Sequence, residues 1–139
     1  MEKIVDCIFC KIISGQILCH IIHQSKSTIS FLDIYPHAEG HTVIIPKIHA
    51  EKLEDVPEPI LSHILTDIKS TMNLLTRTLQ PQGFNIGWNN GTTAGQVIPH
   101  LHIHLFPRYE NDGGESFHSI IKNPGKRTVD EIAKLFRKK

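Results

Sequence analysis

The stretch HLHIHLF, His100–Phe106, places a histidine at every second position, with aliphatic residues between them. A β-strand has a side-chain period of two, so alternate residues face opposite sides of a sheet. The two sets are His100, His102 and His104 on one side, and Leu101, Ile103 and Leu105 on the other. The aliphatic set is suited to a core face. The histidines then form a polar row, and a neutral imidazole can act as base, nucleophile or metal ligand near pH 7.

Composition places the chain among single-domain soluble proteins. It has 139 residues, 40% hydrophobic and 21% charged, with a formal net charge of +1. This charge gives no reason to expect binding to nucleic acid or to an anionic membrane. The chain has no apolar run long enough for a membrane span and no signal-peptide pattern at its start. Its three cysteines are an odd number, so we expect a reducing, cytoplasmic location rather than a disulfide framework.

The remaining segments predict an α+β fold with an antiparallel sheet. Strands are expected at 20–25 and 29–33, which form a hairpin, and at 41–46, 84–89 and along the histidine row. Helices are expected at 7–15 and 129–138, the second with a capping box of Thr128 and Glu131 at its start. A long helix begins near Pro57 and Pro59 and stops at Pro81. Its apolar stripe is predicted to be Leu61, Leu65, Ile68, Met72, Leu75 and Leu79. This helix should cover one face of the sheet.

The loop before the histidine row, NGTTAGQVIP at 90–99, is rich in Gly, Thr and amide side chains. Its Asn-Gly pair is typical of a tight hairpin turn. Alternatively, successive N–H groups in such a loop form a nest that binds anions. Beside a row of histidines, a phosphate site is the better interpretation. The histidines themselves leave two options open: joint chelation of a metal, or one nucleophilic imidazole oriented by the others.

Two other motifs carry possible chemistry. The pair in CIFC, Cys7 and Cys10, fits a zinc half-site, a redox pair or two buried apolar residues. Asp33 ends an apolar strand, where it can form an Asx turn or accept two hydrogen bonds from ribose hydroxyls. His41 and His49 flank the strand TVIIP, and a lone histidine there is ordinarily structural.

Taken together, these segments resemble the histidine-triad (HIT) family of nucleotide hydrolases and transferases. HLHIHLF matches the alternating signature of that family, and three further segments stand in its order and spacing: CIFCKIISGQI, FLDIYPHAEGHTVIIPKIH and GFNIGWNNGTTAGQVIPHLHIHLFPR. The match is closest to bacterial-type members with an N-terminal C-x-x-C zinc motif. It implies one domain over 1–139, with a core at 7–108 and a tail at 109–139. The implied fold is a five-stranded antiparallel sheet with two main helices, which a homodimer extends to ten strands.

The resemblance also implies roles for individual residues. His102 corresponds to the nucleophile, with His104 and His41 as its polar neighbours at the phosphate. The nucleotide-binding positions are Asp33 at the ribose, Ile34 and Phe9 at the base, and Asn89 and Gln96 at the phosphate and leaving group. One structural zinc per chain would be held by Cys7, Cys10, His49 and His100.

The implied function is cleavage of purine nucleotides at the α-phosphate through a nucleotidyl-histidine intermediate. The first expectation is a nucleoside 5′-phosphoramidate hydrolase that releases AMP from adenosine phosphoramidate. The alternatives are a dinucleoside polyphosphate hydrolase and a nucleotide-binding regulator with little turnover. Val97 stands where several members carry Ser or Thr, so a hydroxyl donor near the leaving group is missing here.

Overall fold

The structure, a computed structural model, describes residues 6–137. Three α-helices and five β-strands follow one another as α1 Ile8–Ile13, β1 Ile21–Gln24, β2 Thr28–Leu32, β3 Thr42–Pro46, α2 Glu58–Leu79, β4 Gly83–Gly87, β5 Ile103–Arg108 and α3 Val129–Arg137. Short 3₁₀ turns lie at Leu53–Asp55, Thr92–Ala94 and Phe117–Ser119. The five strands form one antiparallel sheet in the order β1-β2-β3-β5-β4. The predicted α+β class with a five-stranded antiparallel sheet is therefore confirmed.

The two faces of the sheet carry separate apolar clusters. On one face Ile44, Ile103 and Leu105 pack with α2. On the other, the β2 and β3 residues Ile29, Phe31, Val43 and Ile45 pack with α1. The register pairs Val43 with His104 and Ile44 with Ile103, so the histidine row shares the α1 face. The alternation predicted from HLHIHLF thus separates an aliphatic core from a polar row.

Helix α2 begins at the two prolines that predicted its start. Pro57 is its N-cap, and Pro59 lies in the first turn, where a missing N–H is tolerated. It ends at Gln80, which adopts a left-handed conformation at φ 56° and donates its N–H to the Thr76 carbonyl. The predicted stripe was wrong at Leu65, which is 78% exposed, because the buried position is its neighbour Ile64. An i+3/i+4 pattern allows either residue, and the crossing of helix and sheet selects one of them.

A buried polar cluster fastens α2 to the β1–β2 hairpin. The carboxylate of Asp67, 6% exposed, accepts hydrogen bonds from Ser25 Oγ at 2.7 Å and Thr28 Oγ1 at 2.8 Å. Beside it, the hydroxyls of Ser30 and Thr71 lie 2.9 Å apart. Each of these buried side-chain groups has a partner, which removes the cost of taking it out of water.

The histidine strand is shorter than expected, and the alternative of a tight hairpin before it is not found. Strand β5 begins only at Ile103, so His100 and His102 lie in the segment leading into it. The backbone of that segment is not paired with a neighbouring strand, because the Leu101 N–H donates to the Ala50 carbonyl at 2.7 Å. The Asn90-Gly91 pair does not close a tight hairpin, because residues 88–102 separate β4 from β5.

The tail after β5 lies mostly on the surface. Helix α3 begins with the predicted capping box: the Glu131 N–H donates to Thr128 Oγ1, and the Thr128 N–H donates to Glu131 Oε1. The predicted end at Lys138 lies outside the described residues. None of the helices within 6–137 is long and apolar enough to cross a lipid bilayer.

Candidate active site and metal centre

Helix α1 brings its two cysteines to the segment that carries His100. Cys7 is the N-cap, and its sulfur accepts a hydrogen bond from the Cys10 N–H at 3.4 Å. The Cys7 Sγ lies 3.4 Å and the Cys10 Sγ 3.7 Å from His100 Nδ1. His49, which follows β3, places its Nδ1 3.4 Å from Cys10 Sγ. The four potential ligand atoms all lie within 4.8 Å of one another.

This geometry fits a tetrahedral metal ion. Zinc–sulfur bonds of about 2.3 Å and zinc–nitrogen bonds of about 2.0 Å put adjacent ligand atoms about 3.3–3.8 Å apart. The tautomer of His100 fits as well: its Nε2 lies 3.1 Å from the Pro46 carbonyl, which can only accept, so the proton is on Nε2 and the Nδ1 lone pair faces the sulfurs. Burial lowers the pKa of His100 to about 4, which keeps the ring neutral as a ligand must be.

His102 has the opposite tautomer. Its Nδ1 lies 2.8 Å from the carbonyl oxygen of His100, so Nδ1 carries the proton and donates it. The lone pair is then on Nε2. The ring packs against Phe9, with centroids 5.0 Å apart, and against His104 at 5.2 Å. A neutral imidazole held in this way has one fixed nitrogen available for attack.

His41 and His104 form a hydrogen-bonded pair next to His102. The His37 N–H donates to Nδ1 of His41 at 3.1 Å, which places the His41 proton on Nε2. That atom lies 2.9 Å from Nδ1 of His104 and 3.6 Å from Oδ2 of Asp33. The shorter contact is the hydrogen bond, so the proton of His104 is on its own Nε2.

Burial keeps both rings of this pair neutral. Desolvation lowers the pKa of His41 despite the opposing effect of Asp33. Desolvation, followed by repulsion from His102 and His41, lowers the pKa of His104 to about 4. The contact between Asp33 and His41 is therefore that of a carboxylate and a neutral ring, and not an ion pair.

Asp33 makes the Asx turn that its position before Pro36 suggested. Its Oδ1 accepts the Tyr35 N–H at 2.8 Å, and the side chain is half-buried. Beside it Ile34 is largely exposed, whereas Phe9 is buried against Phe31 and the histidines. Between α1 and the end of β2, these residues provide a carboxylate next to apolar surface.

The loop that follows β4 is ordered by its own side chains. Gln96 accepts the Gly91 N–H through Oε1 at 2.8 Å, and its Nε2 donates to the carbonyls of Glu51 and Ile98. Asn89 is exposed and contacts the Gly95 carbonyl only at 3.5 Å. Gln96 therefore holds the loop together here, and its predicted phosphate contact stays a prediction.

Part of the loop backbone is already hydrogen-bonded within the loop, and the expected anion nest stays a prediction. The successive N–H groups of Ala94, Gly95 and Gln96 all donate to carbonyls within the loop. Asn90 ties the loop to its surroundings, since its Oδ1 accepts the Leu53 N–H and its Nδ2 donates to Glu54. This role of Asn90 has no counterpart in the sequence pattern.

The three histidines of the row do not bring their nitrogens together as one ligand group. In the part of the chain that is described, potential metal ligands group as the Cys7 cluster and as Asp33, His41 and His104. The nitrogens of His100 and His102 are committed to different partners. The partners that fix the tautomers are backbone groups of Pro46, His100 and His37, which a sequence motif cannot identify.

The model of the HIT domain family matches residues 14–111 of this chain. The chain belongs to the HIT family. A HIT family protein from Bacillus anthracis has a similar solved structure, with a TM-score of 0.83 and 37% identity, covering 98% of this chain and 96% of that one. The expected family and fold are thereby confirmed.

Several HIT relatives carry named activities. Adenosine 5′-monophosphoramidase HNT1 from Candida albicans is 42% identical over 143 residues, which is 99% of this chain and 91% of the relative. Adenylylsulfatase HINT3 from Arabidopsis thaliana is 38% identical over 107 residues, 77% of this chain and 54% of the relative. Both names denote hydrolases of adenosine nucleotides, which places this HIT protein among enzymes.

Proposed function

We propose that this protein hydrolyses nucleoside 5′-phosphoramidates, with adenosine phosphoramidate as the model substrate and AMP as the product. The relatives that are named for this activity support the substrate class. The reaction is covalent catalysis in two steps. His102 Nε2 attacks the α-phosphorus, the bond to the leaving group breaks, and water then cleaves the P–N bond of the nucleotidyl-histidine.

One observation carries the proposal: the 2.8 Å contact between His102 Nδ1 and the His100 carbonyl. It keeps the proton on Nδ1 and the lone pair on Nε2, as a nucleophile needs. During attack the His102 ring becomes positively charged, and the His100 carbonyl oxygen stabilises this charge by accepting the Nδ1 hydrogen. His104 and His41, neutral and hydrogen-bonded to each other, provide polar groups beside the phosphate without adding charge.

The nucleotide is assigned to the surface between α1 and β2. Asp33 offers Oδ2 for a ribose hydroxyl while its Oδ1 stays in the Asx turn. Phe9 and Ile34 provide apolar contacts for a purine base. Asn89 and Gln96 belong to the loop that borders the α-phosphate, where donors stabilise the added charge by roughly 3 kcal/mol each when well placed.

A structural zinc ion belongs to the proposal as well. Cys7, Cys10, His49 and His100 would hold it, and it would cross-link α1 to the segment that leads into β5. Helix α1 has six residues, which is too few for a helix to be stable alone. Such a cross-link would therefore stabilise α1 in its place on the sheet. His100 also gives its carbonyl to His102, so the metal site and the nucleophile share one residue.

The homodimer predicted from the resemblance stays part of the proposal. Strand β4 is at one edge of the sheet, beyond β5, and an edge strand can pair with its copy. Pairing of two β4 strands would give the expected ten-stranded sheet. Size-exclusion chromatography with light scattering measures this directly.

The test is a substrate panel followed by a search for the intermediate. Wild-type protein is given adenosine 5′-phosphoramidate, diadenosine tetraphosphate and ADP-glucose, and AMP release is measured. We expect the phosphoramidate to give the highest kcat/KM. Acid-free mass spectrometry of a rapidly quenched reaction should show one adenylyl group on the peptide with His102. Preference for diadenosine tetraphosphate would select the dinucleoside polyphosphate alternative, and binding of AMP without turnover of any substrate would select a regulator.

A further inference from the structure

Residues 50–55, between β3 and α2, form a support segment that is bonded to the backbone next to the candidate nucleophile. Its first residue, Ala50, is 3% exposed, and the Ala50 carbonyl accepts the N–H of Leu101 at 2.7 Å. Leu101 directly precedes His102 in the chain. The support segment ends in the 3₁₀ turn Leu53–Asp55, which has its own backbone hydrogen bonds. A buried carbonyl and a bonded turn give this segment a defined place beside the nucleophile.

The support segment is also bonded to both ends of the loop that follows β4. At the far end of the loop, Nε2 of Gln96 donates to the Glu51 carbonyl at 2.7 Å. At the near end, Oδ1 of Asn90 accepts the Leu53 N–H at 2.9 Å, and Nδ2 of Asn90 donates to Oε1 of Glu54 at 2.8 Å. The support segment therefore joins this loop to the backbone next to the nucleophile.

The side chain of Asn90 has one defined orientation in this place. Its Oδ1 accepts a second hydrogen bond, from the indole N–H of Trp88 at 3.1 Å. The N–H groups of Leu53 and Trp88 can only donate, so the atom between them is the amide oxygen. The amide nitrogen then faces the carboxylate of Glu54, and its hydrogen bond lowers the pKa of that group. The arrangement uses the acceptor and the donor of one amide, which neither a carboxylate nor an aliphatic side chain offers together.

Packing contributes little to the position of this loop. Asn89 and Asn90 are exposed, and Trp88 is 36% exposed. A cavity of about 550 Å³ lies between the loop and the start of α2, with Trp88 and Leu61 in its lining. A Cβ added to Gly91 would meet no heavy atom of the described residues within 4 Å beyond its chain neighbours. The hydrogen bonds to the support segment therefore determine where the loop lies.

Asn89, which the proposed function assigns to the phosphate, directly precedes Asn90 in the chain. Its own amide nitrogen is 3.5 Å from the Gly95 carbonyl, which is too long for a strong hydrogen bond. The place of Asn89 thus depends on its neighbour. Displacement of such a group by about 1 Å can lower the rate about a hundredfold, because the reacting atoms need a near-attack geometry.

We propose that Asn90 is a positioning residue for transfer of the nucleotidyl group to His102. It acts through the support segment: by bonding to Leu53 and Glu54, it sets the distance between Asn89 and the nucleophile. This inference rests on the proposed phosphoramidase function, and it adds a residue that is assigned no contact with the substrate.

The first test measures the single-turnover rate constant for adenosine 5′-phosphoramidate with enzyme in saturating excess, where it does not depend on the fraction of active molecules. Asn90→Ala should lower this rate constant about tenfold. The thermal midpoint should stay within about 3 °C, because the lost hydrogen bonds are exposed. The emission maximum of Trp88, the single tryptophan of the chain, should shift because its indole loses its acceptor. Asn73→Ala, which removes an exposed asparagine on α2, is the matched control and should change none of these readouts.

An exchange of donor and acceptor tests the contact itself. Asn90→Asp keeps the acceptor for Leu53 but sets a second carboxylate against Glu54, so the rate constant should again fall about tenfold. Glu54→Gln alone should stay within about twofold of wild type, because the introduced amide oxygen can still accept from Asn90. When the two substitutions are combined, the introduced amide donates to the introduced carboxylate, and the rate constant should return to within about threefold of wild type.

Three results would overturn this inference and leave the proposed function standing. They are a wild-type rate constant in Asn90→Ala, an unshifted Trp88 emission in that variant, and no recovery when Asn90→Asp is combined with Glu54→Gln. If the wild-type protein does not hydrolyse the phosphoramidate, the proposed function fails and this inference fails with it.

Discussion

Nε2 of His41 lies 2.9 Å from Nδ1 of His104, and the N–H of His37 fixes which ring donates. This side-chain contact joins the residue before β3 to β5, on the face that carries the candidate nucleophile. It requires both rings to be neutral, because a proton on Nδ1 of His104 would face the donor of His41. The pair therefore makes stability depend on pH.

We expect the free energy of unfolding to decrease as pH falls from about 6.5 toward 4. The pKa of His104 is lowered from 6.5 to about 4 by burial, so between these values the unfolded chain binds a proton that the folded chain does not. The contribution of His104 to the free energy of unfolding is fully present above pH 6.5 and decreases as the pH falls toward 4. Since the ring is only partly buried, we expect a loss of about 1 kcal/mol from His104 between pH 7 and pH 5.

Urea unfolding at pH 7, 6 and 5 measures this loss. His104→Gln, which cannot take up the proton, should lose about 1 kcal/mol less than wild type over the same interval. Both proteins need the same metal content, because protons also compete for the cysteine and histidine ligands. Parallel pH profiles would show that His104 does not titrate in this way.

His102→Ala should abolish turnover and leave the fold intact. The side chain contributes no core packing under α2, and the lost group is the proposed nucleophile, so we expect at least a thousandfold lower kcat. Release of AMP from adenosine phosphoramidate and the thermal midpoint are the two readouts. His63→Ala, which removes an exposed histidine on α2, is the matched control and should behave like wild type.

The purified protein should contain about one zinc per chain. Elemental analysis checks this in protein that has not met a chelator. Cys7→Ser should lose the metal and lower the thermal midpoint by about 10 °C, because α1 then loses its cross-link. Activity should decline with stability rather than at once on chelation.

Cys19→Ser is the control for the metal prediction, since Cys19 is outside the cluster. It should retain the metal and the wild-type midpoint. A full metal content in Cys7→Ser, or metal-free wild-type protein, would remove the proposed site.

Asp67→Ala should destabilise the fold by about 3 kcal/mol. The substitution leaves the buried hydroxyl of Thr28 and the partly buried hydroxyl of Ser25 without their acceptor and opens space beside α2. Asp67→Asn keeps one acceptor oxygen and should cost less. Chemical denaturation measures both, and Asp130→Ala on exposed α3 should change stability by less than about 0.5 kcal/mol.

The sequence was sufficient for the parts of the molecule that depend on periodicity. The alternation in HLHIHLF predicted which residues enter the core, and hairpin and capping signals predicted the sheet and the start of α3. Periodicity failed at Leu65, where two neighbouring positions satisfy a helical stripe equally and tertiary packing decides. It also extended β5 too far, because the backbone before Ile103 bonds to Ala50 instead of to a strand.

The candidate site was less accessible to prediction. Residue types and resemblance identified the histidines, but the tautomers depend on backbone carbonyl and N–H groups whose positions only the fold determines, such as the Pro46 carbonyl opposite His100. The roles of Asn90 and Gln96 in ordering the loop came from contacts that no motif encodes. The sequence also could not show that the tail places the Phe117 ring over Gly87, where a Cβ would lie 2.7 Å from Phe117 Cζ.

The alternation along β5 has a consequence for how this segment can vary. Inserting or deleting one residue between Leu101 and Leu105 would move each later side chain of the strand to the opposite face of the sheet. Imidazoles would then enter the layer beneath α2, and aliphatic side chains would face the nucleotide. Changes in length are therefore expected to be tolerated in the surface tail and rejected here, even when they preserve every residue type. In a scan of single-residue insertions, variants with an insertion in this segment should be inactive, whereas variants with an insertion in the tail should keep their activity.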